Sequence, residues 1–477
     1  MLPDEGRYAE VAREMLLGDA WVPTLYGLPF FHTPPLMYWL DMAAMQIVGV
    51  NGFAVRIAPA IGGWLMGAAL YLDLYRRLGP REATIALGVL ATSPFFFLGA
   101  QYVNHDMLVA GLITVAIVCA QRAVDDPRHT PVRWVVAAWC AMAAAFLAKG
   151  LIGIVLPALV VGTWLLWQRR WREVLHLMHP LGLVAFALLA LPWLIAMQWR
   201  FPDFLDYFFI EQHFRRYVQS GFNNVHPFWF FAAVVPLLTL PWSLGLPAAV
   251  RSLAWRRQAL RMPAPSRDSR RLLAGLYAWW LFAVLLFFSL PSSKLVGYAL
   301  PVLMPLSALL TFAPWSVHAW RWLMPVSACL CLALLAGVAW YAPGSNRDIG
   351  VALGTQLRPG DRVVFVDAAF FDVAFYAGLK EPPFLLSNWG DPGIDRSDNW
   401  RKELAHAGRF DAQGAAHRLL RADQVANLFC TPQPLWFVAS KGWHAPTEWA
   451  DLTLVHEGTN GDLLRARWSR GLECAPR

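Results

Sequence analysis

The feature that most constrains this chain is a series of long apolar blocks. They run over 54–75, 83–101, 107–121, 134–148, 151–167, 180–198, 227–250, 272–290, 295–313 and 322–341. A helix that crosses a bilayer needs about 20 apolar residues. Its backbone polar groups must also bond within the helix, because lipid offers them no partner. The blocks therefore predict a polytopic α-helical membrane protein with about ten spans. Composition agrees: 57% of the 477 residues are hydrophobic and only 15% are charged, where a soluble domain carries roughly a quarter. The 25 tryptophans suit the membrane–water interface.

Charge placement predicts the topology. If the first segment faces outside, the loops 76–82, 122–133, 168–179, 251–271 and 314–321 are cytoplasmic and carry 17 Lys and Arg. The opposite loops, 102–106, 149–150, 199–226 and 291–294, carry 5. Short cytoplasmic loops hold the positive excess, so the N-terminus, the 199–226 loop and the tail are expected outside. The net charge of +8 thus reads as topology, and no nucleic-acid-binding motif accompanies it. An outside N-terminus with no apolar segment before it predicts a first span missing upstream of Met1. The stretch 35–50 is apolar but interrupted by Asp41 and Gln46, as in an interfacial or re-entrant helix.

The sequence divides into a transmembrane domain, 1–342, and a soluble tail, 343–477, with 1–53 as the first extracytoplasmic loop. In the tail, VVFVD (363–367) and LWFVA (435–439) have the pattern of buried strands. DNWRKELAHAG (398–408) and GAAHRLLRADQVANLF (414–429) have that of helices. Together they predict a small α/β domain. Cys119, Cys140, Cys329 and Cys331 lie in apolar blocks as small core residues. Cys430 and Cys474 would be able to pair in a tail outside the cytosol. None has metal-ligand spacing.

Polar groups that can do chemistry gather in five segments on the expected outer face. In DEGRYAEVAREML (4–16), Tyr8, Val11, Ala12 and Met15 recur on one helix face. Asp4 and Glu5 sit where that helix begins, and Arg7 is within reach of Asp4. This is either a capped amphipathic helix on the membrane or part of a reaction centre. EQHFRRY (211–217) offers His213, Arg215 and Arg216, to lipid head groups or to a substrate phosphate that suits arginine's fork. In PSSKLVGYALP (291–301), Lys294 and Tyr298 are spaced to share a helix face, though a lysine at a span end also snorkels. Asp106, in QYVNHDMLV (101–109), either caps a helix or serves as an acid at a span mouth. Lys149, in LAKGLIG (147–153), lies in a tight outside turn, read as turn geometry with a phosphate contact as the weaker option. Cations beside carboxylates are what a phosphate-bearing lipid substrate and a base require.

DEGRYAEVAREML followed by PFFHTPPLMYWL (29–40) resembles the first extracytoplasmic loop of the GT-C glycosyltransferases. The nearest group is that of the bacterial protein mannosyltransferases and aminoarabinose transferases. HFRRY, SKLVGYALP, AKGLIG and PFWFF…PWSL resemble further blocks of that family, over most of 1–313. The resemblance implies a bacterial inner-membrane enzyme whose active site and C-terminal domain face the periplasm. It implies transfer of a sugar, with inversion, from a polyprenyl-phosphate carrier such as undecaprenyl phosphate to a lipid A, surface-glycan or protein acceptor. By position, Asp4 would be the catalytic carboxylate of the Asp4–Glu5 pair and Asp106 the second acid. Arg7, Arg216, Lys294 and Tyr298 would bind the donor phosphate, with His213 and His32 among the substrate-binding residues. No cofactor is required on this reading, and a divalent metal is not indicated. Nucleic acid is not among the expected partners.

The chain departs from the family at one place. Aminoarabinose transferases typically carry tyrosine, phenylalanine, glutamate and lysine before the double proline; here the residues are Phe30, Phe31, His32 and Thr33. The family's glutamate and lysine are absent, which leaves the sugar and the acceptor open. The rival of another class is a multi-span transporter or flippase of lipid-linked substrates. It would place charge within the spans or broken helices at the midplane.

Overall fold

The computed structural model describes residues 1–477 except 2, 126–131, 216–223, 256–263, 314–316, 342–343, 397, 430–432, 447–448, 450–451 and 467–477. Its described residues form two compact units. One comprises Arg56–Ser220 and Asn224–Trp340, the other Met1–Val55 and Tyr341–Arg477.

The larger unit is a helical bundle. Among the described residues, six helices are long and apolar enough to cross a membrane: Ala54–Arg77, His105–Asp125, Val132–Lys149, Pro180–Arg200, Arg270–Ser289 and Trp322–Tyr341. The pair Phe230–Leu238 and Trp242–Ser252 adds a seventh span if taken together, bent by 106° at its break. Three apolar blocks expected as spans are instead shorter or broken. The block 83–101 splits into Pro80–Ala91 and Pro94–Gly99, because a residue before proline is pushed out of the helical region. Ile152–Trp167 takes a π turn at Ala158–Gly162, directly after Pro157. Around Pro301 the chain runs as a 3-10 helix, Val296–Val302, before Leu303–Leu310. Prolines and altered helix types divide these blocks, so that none of the three is one continuous long helix.

Two glycines set the centre of the bundle. A Cβ on Gly111 would lie 2.1 Å from the carbonyl oxygen of Gly62. One on Gly62 would lie 2.3 Å from that of Met107. The helices Ala54–Arg77 and His105–Asp125 therefore touch backbone to backbone, a contact that small residues permit.

At the Arg77 end of these helices, three are tied by charge. Arg77 donates to Asp73 at 2.8 Å and meets Asp125 at 2.7 Å, and the Tyr277 hydroxyl donates to Asp73 at 2.6 Å. The Asp73 side chain is 2% exposed. Removing one partner of a buried pair leaves the other uncompensated, at a cost of about 3–5 kcal/mol. Asp73→Ala is accordingly expected to lower the thermal unfolding midpoint of the detergent-solubilised protein by several degrees. An unchanged midpoint would show that the network carries no stability.

In the smaller unit, strands are numbered in chain order. β1 (Thr24–Leu25) and β2 (Leu28–Pro29) form a short hairpin. β3 (Arg362–Val366), β4 (Phe384–Leu386), β5 (Leu419–Leu420), β6 (Leu435–Ser440), β7 (Leu452–Glu457) and β8 (Gly461–Ala466) form one sheet in the order β5-β4-β3-β6-β8-β7. β3 pairs parallel with β4 and β6, and β4 with β5, while β8 runs antiparallel to β6 and β7. The two buried runs seen in the sequence are β3 and β6. The helix expected over 414–429 is two, Ala412–Arg418 and Ala422–Phe429, since Leu419 and Leu420 pair with Leu385 and Leu386.

Residues 1–53, read from the sequence as the first loop of the membrane domain, thus lie in one compact unit with the tail. The helix Pro3–Leu17 shows why. Its face of Ala9, Val11, Ala12 and Met15 is buried. A Cβ on Gly6 would lie 2.6 Å from the backbone nitrogen of Asp372, in the helix Phe371–Ala377. The amphipathic period is present, but its apolar face is packed against protein. Polar groups on the same helix are satisfied internally. Arg13 grips Glu10 through Nε at 2.7 Å and Nη2 at 2.6 Å, and donates to the carbonyl of Leu379 at 2.5 Å. Burial pushes the Glu10 carboxyl up to about 7, against the pull of Arg13. Glu14 accepts the backbone N–H groups of Tyr26 and Gly27. Both those residues have positive φ, so a buried carboxylate holds the hairpin turn closed. The apolar helix Leu36–Val48, 13 residues long, is shorter than a span.

Among the described cysteines, Cys119, Cys140, Cys329 and Cys331 are free thiols. Cys430 and Cys474 lie outside the described residues.

Candidate functional site

In the smaller unit, the start of helix Pro3–Leu17 places Asp4, Glu5 and Arg7 on its first turns. Exposure separates the two acids. The Asp4 side chain is 64% exposed, whereas Glu5 is buried at 3%. Arg7 links Asp4 to the tail. Its Nη2 donates to Asp4 Oδ1 at 3.2 Å and its Nη1 to Glu403 Oε1 at 2.5 Å. The guanidinium carbon lies 5.2 Å from the ring centre of Tyr8 and 5.6 Å from that of Phe371, within cation–π range. Burial works against its charge, but Glu403, Tyr8 and Asp4 hold its pKa above the ordinary arginine value. His32 stacks on Phe30 at 4.7 Å, with Nδ1 4.0 Å from the same Glu403 oxygen. Asp4, Arg7 and His32 therefore belong to one cluster, completed by a glutamate from helix Trp400–Ala407.

In the larger unit, a second cluster forms where helix His105–Asp125 begins. Asp106 is buried at 6%. Its backbone N–H donates to Asn104 Oδ1 at 2.9 Å, and Asn104 Nδ2 donates back to Asp106 Oδ2 at 3.1 Å. The capping residue is therefore Asn104, just before helix His105–Asp125, and not Asp106, which lies in the first turn and accepts from the cap. The same carboxylate also accepts a bond from the Lys149 ammonium. That ammonium lies 4.9 Å from the ring centre of Tyr298. A Cβ at Gly297 would fall 2.0 Å from Asp106 Oδ2, so glycine is what admits the acid to this corner. Asp106 and Tyr298 come together, with Lys149 between them.

Lys294 and Tyr298 do not share a helix face. The 3-10 helix starts at Val296, and Leu295 before it is extended. The Lys294 side chain is buried and its ammonium donates to the carbonyls of His226, at 2.8 Å, and Pro291, at 2.5 Å. Sequence spacing assumed a continuous α-helix across a segment that turns. His213 falls in the helix Asp206–Arg215, but its side chain, like the whole of Arg216, lies outside the described residues.

Sequence reasoning missed Glu403 and gave Lys149 a turn or a phosphate contact, not the pairing with Asp106. Helix Trp400–Ala407 was legible, but nothing local marks Glu403 as the partner of a residue 396 positions earlier. Lys149 ends an apolar helix, and a buried acid elsewhere was the available signal. Among the described residues, no three or more His, Cys, Asp and Glu side chains are grouped to hold a metal ion.

The helical membrane bundle and the small α/β unit together have the GT-C fold. Residues 3–208 match the dolichyl-phosphate-mannose-protein mannosyltransferase family. The fold superposes on ArnT from Cupriavidus metallidurans crystallised with undecaprenyl phosphate, with a TM-score of 0.80 at 23% identity, covering 100% of this chain and 95% of that one. In sequence, the chain is 35% identical over 317 residues to the undecaprenyl phosphate-alpha-4-amino-4-deoxy-L-arabinose arabinosyl transferase of Pseudomonas aeruginosa, covering 65% of this chain and 55% of the relative. The corresponding transferase of Aeromonas salmonicida is 33% identical over 349 residues, 71% of this chain and 62% of that protein. The chain thus spans little more than half the length of the curated relatives it matches. Its spans and this kinship make it a multi-pass protein of the bacterial inner membrane.

Proposed function

We propose that the chain is a membrane glycosyltransferase that moves a sugar from undecaprenyl phosphate to an extracytoplasmic acceptor: lipid A, a surface glycan or a protein. The observation that carries this reading is the exposed Asp4 carboxylate held by the half-buried Arg7 at the start of the loop that resembles the family's catalytic loop. The names of the relatives support the donor class. The charge bias of the short loops supports a periplasmic placement of Asp4 and the tail.

Asp4 removes the proton from the acceptor hydroxyl or amine. The freed lone pair attacks the anomeric carbon, and the bond from that carbon to the phosphate oxygen breaks. Undecaprenyl phosphate leaves with the bonding pair, and the anomeric configuration inverts. Cations stabilise the negative charge that grows on the phosphate. Arg7 is assigned that role, and His32 is assigned to substrate. Glu5 is buried beside Asp4, so the acceptor meets Asp4. Asp106 is the second acid, paired with Lys149.

The test is transfer by the purified full-length protein. Radiolabelled undecaprenyl-phosphate sugars, 4-amino-4-deoxy-L-arabinose among them, are offered with a membrane extract as acceptor. Labelled product is expected, and its identity reveals sugar and acceptor. Absence of product from every donor, with folded protein, would overturn the reading. Movement of labelled lipid across proteoliposomes in the same preparation would favour the flippase.

A further inference from the structure

We propose that Glu403, supplied by the tail, is a positioning residue that holds Asp4 in its working orientation through Arg7. This rests on the functional reading above. Asp4 stands on an exposed first helical turn, where a lone surface pair contributes about 0–1 kcal/mol and leaves the side chain free to change rotamer. Its cation is not a free surface arginine. Glu403 takes Arg7 at 2.5 Å, the side chains of both are under 20% exposed, at 16% and 17%, and Tyr8 and Phe371 bracket the guanidinium. The Glu403 bond is charge-assisted and is shorter than the 3.2 Å bond to Asp4. The rotamer entropy of a long side chain has thus already been given up to Glu403. Arg7 then presents Nη2 to Asp4 at little further cost, which is preorganisation of the acid by a supporting residue. His32 Nδ1 lies 4.0 Å from the same Glu403 oxygen. The two Arg7 bonds described use one N–H each of Nη1 and Nη2, which leaves other N–H groups of the fork for the donor phosphate.

The experiment measures kcat and donor KM for Glu403→Ala, Glu403→Gln, Arg7→Ala and the Arg7→Ala/Glu403→Ala double variant, with thermal midpoints for each. Misplacing a reacting group by about 1 Å can cost about 100-fold. Glu403→Ala is expected to lower kcat about ten- to a hundredfold, with a smaller rise in donor KM because Arg7 also faces the donor phosphate. Glu403→Gln, which keeps a neutral acceptor of roughly half the strength, is expected to recover part of the loss and serves as the reporter if the alanine variant misfolds. In the Arg7→Ala background the Glu403 substitution is expected to cost nothing more. Three results would overturn the inference: full kcat in both Glu403 variants, a loss confined to KM, or the same loss with and without Arg7. If the wild type transfers sugar and the Glu403 variants match it, only this inference fails. If the wild type transfers none, the functional reading fails and takes this inference with it.

Discussion

Asp4→Asn is expected to lower the rate of sugar transfer about 10²–10⁴-fold, the range associated with a positioned general base. Asparagine has nearly the shape of aspartate and still accepts a bond from Arg7, but it cannot take a proton. The fold should survive, because the Asp4 side chain is 64% exposed and its pair with Arg7 is 3.2 Å long, an interaction of about 0–1 kcal/mol. Initial rates at saturating donor, alongside thermal midpoints, separate chemistry from folding. A variant that transfers at the wild-type rate would remove Asp4 from its role. A variant that loses its midpoint as well as its rate would mark Asp4 as structural.

The second large effect is on the bundle. Gly111→Leu is expected to reduce the yield of monodisperse protein in detergent about tenfold or more, whatever its effect on transfer. A Cβ at Gly111 would meet the carbonyl oxygen of Gly62 at 2.1 Å, its carbonyl carbon at 2.8 Å and its Cα at 2.9 Å. All three are backbone atoms, so no side chain can move aside and the helices must separate. Overpacking typically costs about 1–3 kcal/mol and sometimes more; a branched side chain between two backbones belongs at the upper end. Gly337→Leu is the control. It lies in the mostly lipid-exposed helix Trp322–Tyr341 and a Cβ there meets nothing within 4 Å. Fluorescence-detected size exclusion of the two variants is the measurement, and equal yields would show that the close crossing is dispensable.

Much of the architecture is legible in the sequence because its physics is local. Lipid demands helices of a certain apolar length, and that length can be read directly from runs such as 107–121 or 180–198. The strands β3 and β6 show as buried runs, and the period of Val11, Ala12 and Met15 shows a helix with one apolar face. Errors arose where local pattern competes with connection geometry. Leu419 and Leu420 look helical in their own neighbourhood, yet a parallel partner strand takes them. Lys294 and Tyr298 have helical spacing, yet the turn before Val296 separates them. The chain 83–101 has the apolar length of a span, yet it divides at Pro94.

The candidate site was half legible. Asp4, Arg7 and Asp106 announce themselves as charges where an apolar chain can least accommodate them, and their types suit phosphate and proton chemistry. Their partners do not. Glu403 is one of several acids in the tail, and Lys149 ends a helix as many lysines do. What the sequence alone determines is the set of elements the bilayer and backbone hydrogen bonding enforce, with the acids that stand out from them. What only the tertiary structure decides is pairing across long separations: that the first helix buries its apolar face against helix Phe371–Ala377, that Glu403 reaches Arg7 across 396 positions, and that Gly297 makes room for Asp106 beside Lys149. The reason is physical. An apolar period or length is a property of neighbouring residues, whereas an ion pair or a backbone crossing exists only once distant segments are packed and desolvated together.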